Sequence, residues 1–153
     1  MPTHAEKRYL PYTPQQLYDM VADIEHYPEF LPWCMAQRIR RREGNVVIAD
    51  LVIGFKMIRE RYTSKVTLNE GRIEVVYIEG PFKYLNNHWI FNPAEDGGTI
   101  IDFYVDFEFR SKVLQALIGA LFNEAVGLMV GAFEKRARQL YGADGRLAGQ
   151  SPG

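Results

Sequence analysis

Hydrophobic and polar positions change period twice along the chain, and those changes mark out its elements. Thr13-Pro14 followed by Gln15 to Ile24 carries a helix start, with Thr13 as the cap and Pro14 at the first helical position. Leu17, Met20, Val21 and Ile24 then recur at helical spacing and make one apolar face. Tyr27-Pro28 and Leu31-Pro32 interrupt regular structure, because each proline disfavours helical geometry in its predecessor. The segment from His26 to Cys34 is therefore expected to be a short helix or turn. From Cys34 to Arg110 the period falls to that of strands, predicted at about 35–43, 46–55, 58–69, 72–79, 84–92 and 99–109. Between them lie Glu43-Gly44-Asn45, Asn69-Glu70-Gly71, Gly80-Pro81 and Asp96-Gly97-Gly98, which tolerate or pre-set turn dihedrals. The last strand is the clearest: Ile101, Phe103, Val105, Phe107 and Phe109 alternate with Asp102, Tyr104, Asp106 and Glu108, one apolar face and one wet. Short connections predict an antiparallel meander, with residues 5–12 as a further edge strand.

The final element is a long helix over about 111–141. Leu114, Ile118, Leu121, Ala125, Leu128, Met129 and Ala132 form a stripe spaced by three and four, and Glu134, Lys135, Arg136 and Arg138 place cations mainly at the C-terminal end, where the helix dipole favours them. Val113 to Phe133 is apolar except for Gln115, Asn123 and Glu124. A bilayer span of roughly 20 residues would put Asn123 and Glu124 near the membrane midplane, where an acidic side chain is costly, so a buried amphipathic helix is the expectation. The fold class is then α+β: a curved antiparallel sheet of about seven strands wrapped around a C-terminal helix about 45 Å long, with two short helices after the first strand. Residues 3–142 make one domain, and the Gly-rich polar tail 143–153 is expected to be disordered. A curved sheet gripping a helix leaves a space between them, and function belongs there, because ligand pockets are concave and mostly apolar.

Composition sharpens that expectation. Of 153 residues, 47% are hydrophobic and 13% aromatic, far from the regime of disorder. Lys plus Arg minus Asp plus Glu is 18 − 19 = −1, so attraction to nucleic acid or anionic lipid must be local. The single cysteine, Cys34, excludes an internal disulfide, and beside Trp33 and Met35 it reads as an inert core thiol. His4, His26 and His88 have no metal-ligand spacing, and no nucleophile elbow, phosphate loop or dinucleotide fingerprint is present, so no metal and no catalytic residue are assigned. The N-terminal MPTHAEKRYLPY lacks an apolar h-region, so no secretory leader is expected. Asp50, within NVVIADLVIGF, is placed on an outward or turn-adjacent position.

Candidate cavity-lining residues are Phe30, Trp33, Trp89, Phe91, Phe103, Val105 and Phe107, with Leu114, Ile118, Leu121, Leu128 and Met129 from the helix. Arg59 and Arg61 share alternation parity with Thr63, Lys65 and Thr67; if that face is the concave one, a cation could sit near a ligand oxygen, and otherwise it is a solvated face. Arg38, Arg40, Arg41 and Arg42 are the densest basic run, readable as an ordinary exposed edge or as a membrane or ribosome contact.

YPEFLPWC (Tyr27 to Cys34), GPFKYLNNHWIF (Gly80 to Phe91) and FYVDFEF (Phe103 to Phe109) before a long terminal helix resemble the coenzyme Q-binding protein family. That family belongs to the START-like, polyketide cyclase and dehydrase superfamily with the helix-grip fold, and the resemblance covers about residues 3 to 142. It implies binding of ubiquinone or a similar polyprenyl lipid, with no further cofactor, by a carrier or chaperone that supports respiration and ubiquinone synthesis and is not an enzyme. Bacterial relatives include a ribosome-association toxin that blocks subunit joining, which implies the ribosome as the alternative partner. An aromatase or cyclase-like enzyme is the third reading, and it needs a buried general acid or base. The resemblance is to bacterial members, with an expected cytoplasmic location peripheral to the inner face of the membrane.

Overall fold

The computed structural model describes residues 3–31, 33–55 and 58–142; the tail assigned to 143–153 lies outside the described residues. The chain runs β1 (Thr3–Leu10), α1 (Pro14–Ala22), a 3-10 turn (Ile24–His26), α2 (Tyr27–Phe30), β2 (Cys34–Glu43), β3 (Val46–Phe55), β4 (Ile58–Asn69), β5 (Arg72–Glu79), β6 (Phe82–Pro93), β7 (Thr99–Phe109) and α3 (Lys112–Tyr141). The strands form one antiparallel sheet of order β1-β7-β6-β5-β4-β3-β2: a meander from β2 to β7, with β1 added beside β7.

Local sequence explains each boundary. Thr13 and Gln16 close a reciprocal capping box over Pro14, satisfying two of the orphan amides at the start of α1. The Asn69–Arg72 pair closes its hairpin through Gly71 at φ +68°, a left-handed conformation that a Cβ disfavours. Ser111 caps α3 by accepting from the Leu114 amide.

Leu17, Met20 and Val21 bury the inner face of α1 against one end of the sheet, where Tyr18 meets Phe91 edge-on at 5.6 Å. The C-terminal end of α3 is fastened there too: the Tyr141 hydroxyl donates to the Gln16 carbonyl and the Tyr12 hydroxyl to that of Gly142. On the β1 edge the Arg8 guanidinium bonds both Glu6 and Glu134, so a charged strap crosses from sheet to helix.

The helix is less buried than its composition suggests. Only Ile118, Phe133 and Ala137 are fully buried, while Val113, Leu128 and Leu140 are exposed. It is long and apolar enough to cross a membrane by length and composition. Here it lies along the sheet on a narrow stripe, half-exposed rather than enclosed.

Candidate functional site

The concave face of the sheet is packed in two pieces rather than one. One cluster gathers α1, the middle of the sheet and the second half of α3 around Leu17, Val21, Ile73, Phe103 and Phe133. The other gathers Ile58, Phe82, Leu85, Phe109 and Ile118 near the start of α3. Tyr62 and Val105 touch both, and a cavity of ≈ 220 Å³ is lined by members of each.

Rings make much of its wall. Trp89 meets Phe103 at 4.6 Å and Phe133 at 5.1 Å, both edge-on, and Phe82 stacks on Phe109 at 4.7 Å. Phe107 bridges to Phe122 of α3 at 5.7 Å. The edge-on and stacked geometries are those that aromatic quadrupoles favour. No Asp, Glu, His, Lys or Arg lines the cavity among the described residues. Its polar groups are the hydroxyls of Tyr27, Tyr62 and Ser64, the Asn87 amide and the indoles of Trp33 and Trp89. The Tyr27 hydroxyl is spent on the Val21 carbonyl, and the Asn87 amide donates to the Tyr104 carbonyl at 2.8 Å. Burial pushes both Tyr27 and Tyr62 far above the usual phenol range, so neither ionises in the neutral range.

Trp33, Trp89, Phe103, Val105, Phe107, Ile118 and Met129 line this space. Phe30 does not: it packs behind Phe133 at 5.3 Å, with the Arg136 guanidinium 5.0 Å over its ring. Phe91 is buried beneath α1, beyond Trp89. Leu114 joins the second cluster without reaching the cavity, and Leu121 and Leu128 lie on the flanks of α3, Leu128 being 45% exposed. The helix is rotated from the expected stripe, so Phe122, Val126 and Phe133 point inward instead.

Arg59 and Arg61 lie on the other side of the sheet. Ala49, Leu51 and Ile53 of β3 line the cavity, which puts Val52 and Gly54 on the outer face, and these pair with Arg61 and Arg59. A cation contact with a ligand in the cavity is therefore removed. The inward residues of β4 are Ile58, Tyr62, Ser64 and Val66. Their signal was present in IRERYTSKV, where the cations occupy one parity and Ile58, Tyr62 and Val66 the other.

The outer face instead unites two sequence motifs. Arg38 lies opposite Asp50, and Lys65, Arg61 and Arg59 follow along β4. Asp50 is outward as expected, yet only 5% exposed. Burial raises its pKa, but hydrogen bonds from Thr63 (2.5 Å) and Arg40 (2.7 Å) and the charges of Arg40 and Arg61 outweigh this and hold it below the usual carboxylate value. Arg41 and Arg42 pair with Glu43 and Glu25, whereas Arg38, Arg59 and Arg61 form no salt bridge among the described residues.

Cys34 is buried, and burial pushes its thiol up to about 11, so it is protonated and inert at neutral pH. No cluster of metal-ligating side chains occurs among the described residues. A second, shallower hollow lies between β1 and α3, where His4, Glu6, Arg8 and Glu134 face Gly127 and Gly131. Its charged groups are bonded to one another.

A curved seven-stranded antiparallel sheet closed by one long helix over an apolar cavity is a START-like fold. Residues 10–134 match the family described as polyketide cyclase / dehydrase and lipid transport, and the chain belongs to that family. It is 43% identical to the ribosome association toxin RatA of Rickettsia prowazekii, across 86% of this chain and 92% of that one. It is 35% identical to the mitochondrial coenzyme Q-binding protein COQ10 homolog B of Xenopus laevis, covering 91% of this chain and 59% of the relative. The solution structure of the 18 kDa protein CC1736 from Caulobacter crescentus superposes with a TM-score of 0.76 at 39% identity, over 94% of this chain and 100% of that one.

Proposed function

We propose that the protein binds ubiquinone or a related polyprenyl lipid in the cavity and acts as a carrier or chaperone rather than an enzyme. The observation that carries this reading is the composition of the wall: rings and aliphatic groups, a few neutral polar groups, and no charged side chain among the described residues. An apolar guest gains roughly 25 cal/mol for each Å² removed from water, while proton-transfer chemistry would have only phenols held neutral to work with. Similarity to a coenzyme Q-binding protein supports the same ligand class. At ≈ 220 Å³ the cavity is below the ~300–1,000 Å³ usual for ligand sites. That size suits a quinone head rather than a whole polyprenyl chain.

Trp33 and Trp89 both line the cavity, so the protein carries its own reporters. Titration with ubiquinone-2 is expected to quench tryptophan fluorescence saturably. At a hundredfold excess over Kd it should add about 2.7 kcal/mol of stability, a Tm rise of several degrees. Mass spectrometry of organic extracts of the natively purified protein should find a polyprenyl lipid. No extracted lipid together with no fluorescence or Tm response would sink the proposal.

A second reading rests on the outer face, where Arg38 of β2 and Arg59, Arg61 and Lys65 of β4 project on either side of β3. Similarity to ribosome association toxins gives such a patch a polyanionic partner. Reversing Arg38, Arg59 and Arg61 to Glu is expected to abolish co-sedimentation with ribosomal subunits, and each lost phosphate contact should flatten the salt dependence by about one unit of slope. Ubiquinone-2 binding should be unchanged, because these residues face away from the cavity. Undiminished co-sedimentation of the triple variant would remove this face as the contact.

A further inference from the structure

Building on the lipid-binding reading, we infer that the Tyr62 and Ser64 hydroxyls are the polar anchor of the cavity, selecting a neutral ligand that presents a hydrogen-bond-accepting oxygen. The two side chains stand two residues apart on β4 and so point the same way, into the cavity. Ser64 is 1% exposed, and neither hydroxyl has a hydrogen-bond partner among the described residues. The Tyr27 hydroxyl and the Asn87 amide are already committed to backbone carbonyls. Among the described residues only Gln37 Oε1 is a fully enclosed polar side-chain atom without a partner, so the Tyr62 and Ser64 hydroxyls open onto the cavity, where an acceptor on the guest can bond both.

The surroundings favour that position. Ala49 lies directly across from Ser64 on β3, and its small side chain leaves the space over the hydroxyl open. Gly80 packs so closely on the backbone at Tyr62 that a Cβ there would sit 2.8 Å from the tyrosine's own Cβ, a position that only glycine fills. Tyr62 is held edge-on by Phe82 at 5.3 Å. The indole N–H groups of Trp33 and Trp89 add donors and no acceptor.

Charge sets the selectivity. A carboxylate or phosphate drawn to this depth would meet hydroxyls and rings but no cation among the described residues, and burying an unpaired ion is far more costly than burying a ketone. Glu60 shares the parity of Tyr62 but lies outside the lining, and a carboxylate would only repel an anionic guest. The ligand class is thus a carbonyl-bearing neutral lipid, such as a quinone, with its ring over Ala49 and Ser64, and not a fatty acid or the headgroup of a phospholipid.

The test compares Tyr62→Phe, Ser64→Ala and the double variant with the wild-type chain, using ubiquinone-2, the hydrocarbon squalene and palmitate as probes read by tryptophan fluorescence. Each single variant is expected to weaken ubiquinone-2 binding about tenfold, equivalent to about 1.4 kcal/mol, and the double variant by more. Squalene affinity should stay within about twofold, which also verifies that the variants fold. Palmitate anion should bind the wild-type protein at least about tenfold more weakly than ubiquinone-2. An unchanged quinone affinity in the double variant, or palmitate binding as tightly as the quinone, overturns the anchor while leaving lipid binding intact. Failure of both squalene and ubiquinone-2 to bind the wild type overturns lipid binding itself, and the anchor with it.

Discussion

Ala49→Phe is expected to lower ubiquinone-2 affinity at least about a hundredfold, a loss of about 2.7 kcal/mol, while leaving the protein as stable as before or more so. Ala49 is 1% exposed and forms part of the cavity floor beside Ser64. A phenyl group there projects into empty space rather than into packed neighbours. The usual overpacking penalty of ~1–3 kcal/mol is then offset by roughly 0.8 kcal/mol for each buried methylene equivalent. The opposite signs distinguish this substitution from ordinary damage: a destabilised variant loses binding and Tm together, whereas a filled cavity loses binding and keeps or raises Tm. Fluorescence titration and thermal unfolding on the same preparation measure both. Unaltered affinity would place the ligand somewhere other than this cavity.

Phe133→Ala should produce the largest loss of stability. Phe133 is 5% exposed and is the point where α3 meets the rest of the fold, with Trp89 at 5.1 Å, Phe30 at 5.3 Å and Tyr27 at 5.8 Å, all edge-on. Removing a buried ring of this kind costs about 3–5 kcal/mol, and at about 2–4 °C per kcal/mol for a chain of this size the Tm should fall by roughly 10 °C. Of the three buried side chains on α3, Phe133 is the largest, so its removal takes away most of the apolar anchoring of that half of the helix. Phe133→Leu should recover more than half of the loss, since it refills most of the volume. A fall of less than about 3 °C for the alanine variant, corresponding to ~1 kcal/mol, would mean that the strap from Arg8 to Glu134 and the Tyr141 and Tyr12 contacts hold the helix without the ring.

Strands were legible because their signal is local and of high contrast. In β7 every second residue from Ile101 to Phe109 is apolar, and in β4 Arg59, Arg61 and Lys65 mark one face as plainly as Ile58 and Val66 mark the other. The turn glycines and the Thr13 to Gln16 capping box need only neighbours in the chain to define them. The rotation of α3 was not legible. Between Val113 and Phe133 it is apolar on almost every side, so periodicity has little contrast, and the stripe through Leu121 and Leu128 is as good on paper as the one through Phe122 and Phe133.

By itself, then, the amino-acid sequence determined the order and type of the elements, the α+β architecture, the family and the presence of more aromatic surface than one helix covers. Only the tertiary structure decided which parts of that surface close on each other and which stay apart. It placed Phe91 and Phe30 behind the wall, brought Phe122 and Phe133 into it, turned Arg59 and Arg61 outward and left Tyr62 and Ser64 facing the space. The reason is that alternation along a strand separates two faces but does not say which one is concave. That depends on which face α3 covers, and α3 is positioned in part by Trp89 against Phe133, a ring on a strand far from it in sequence.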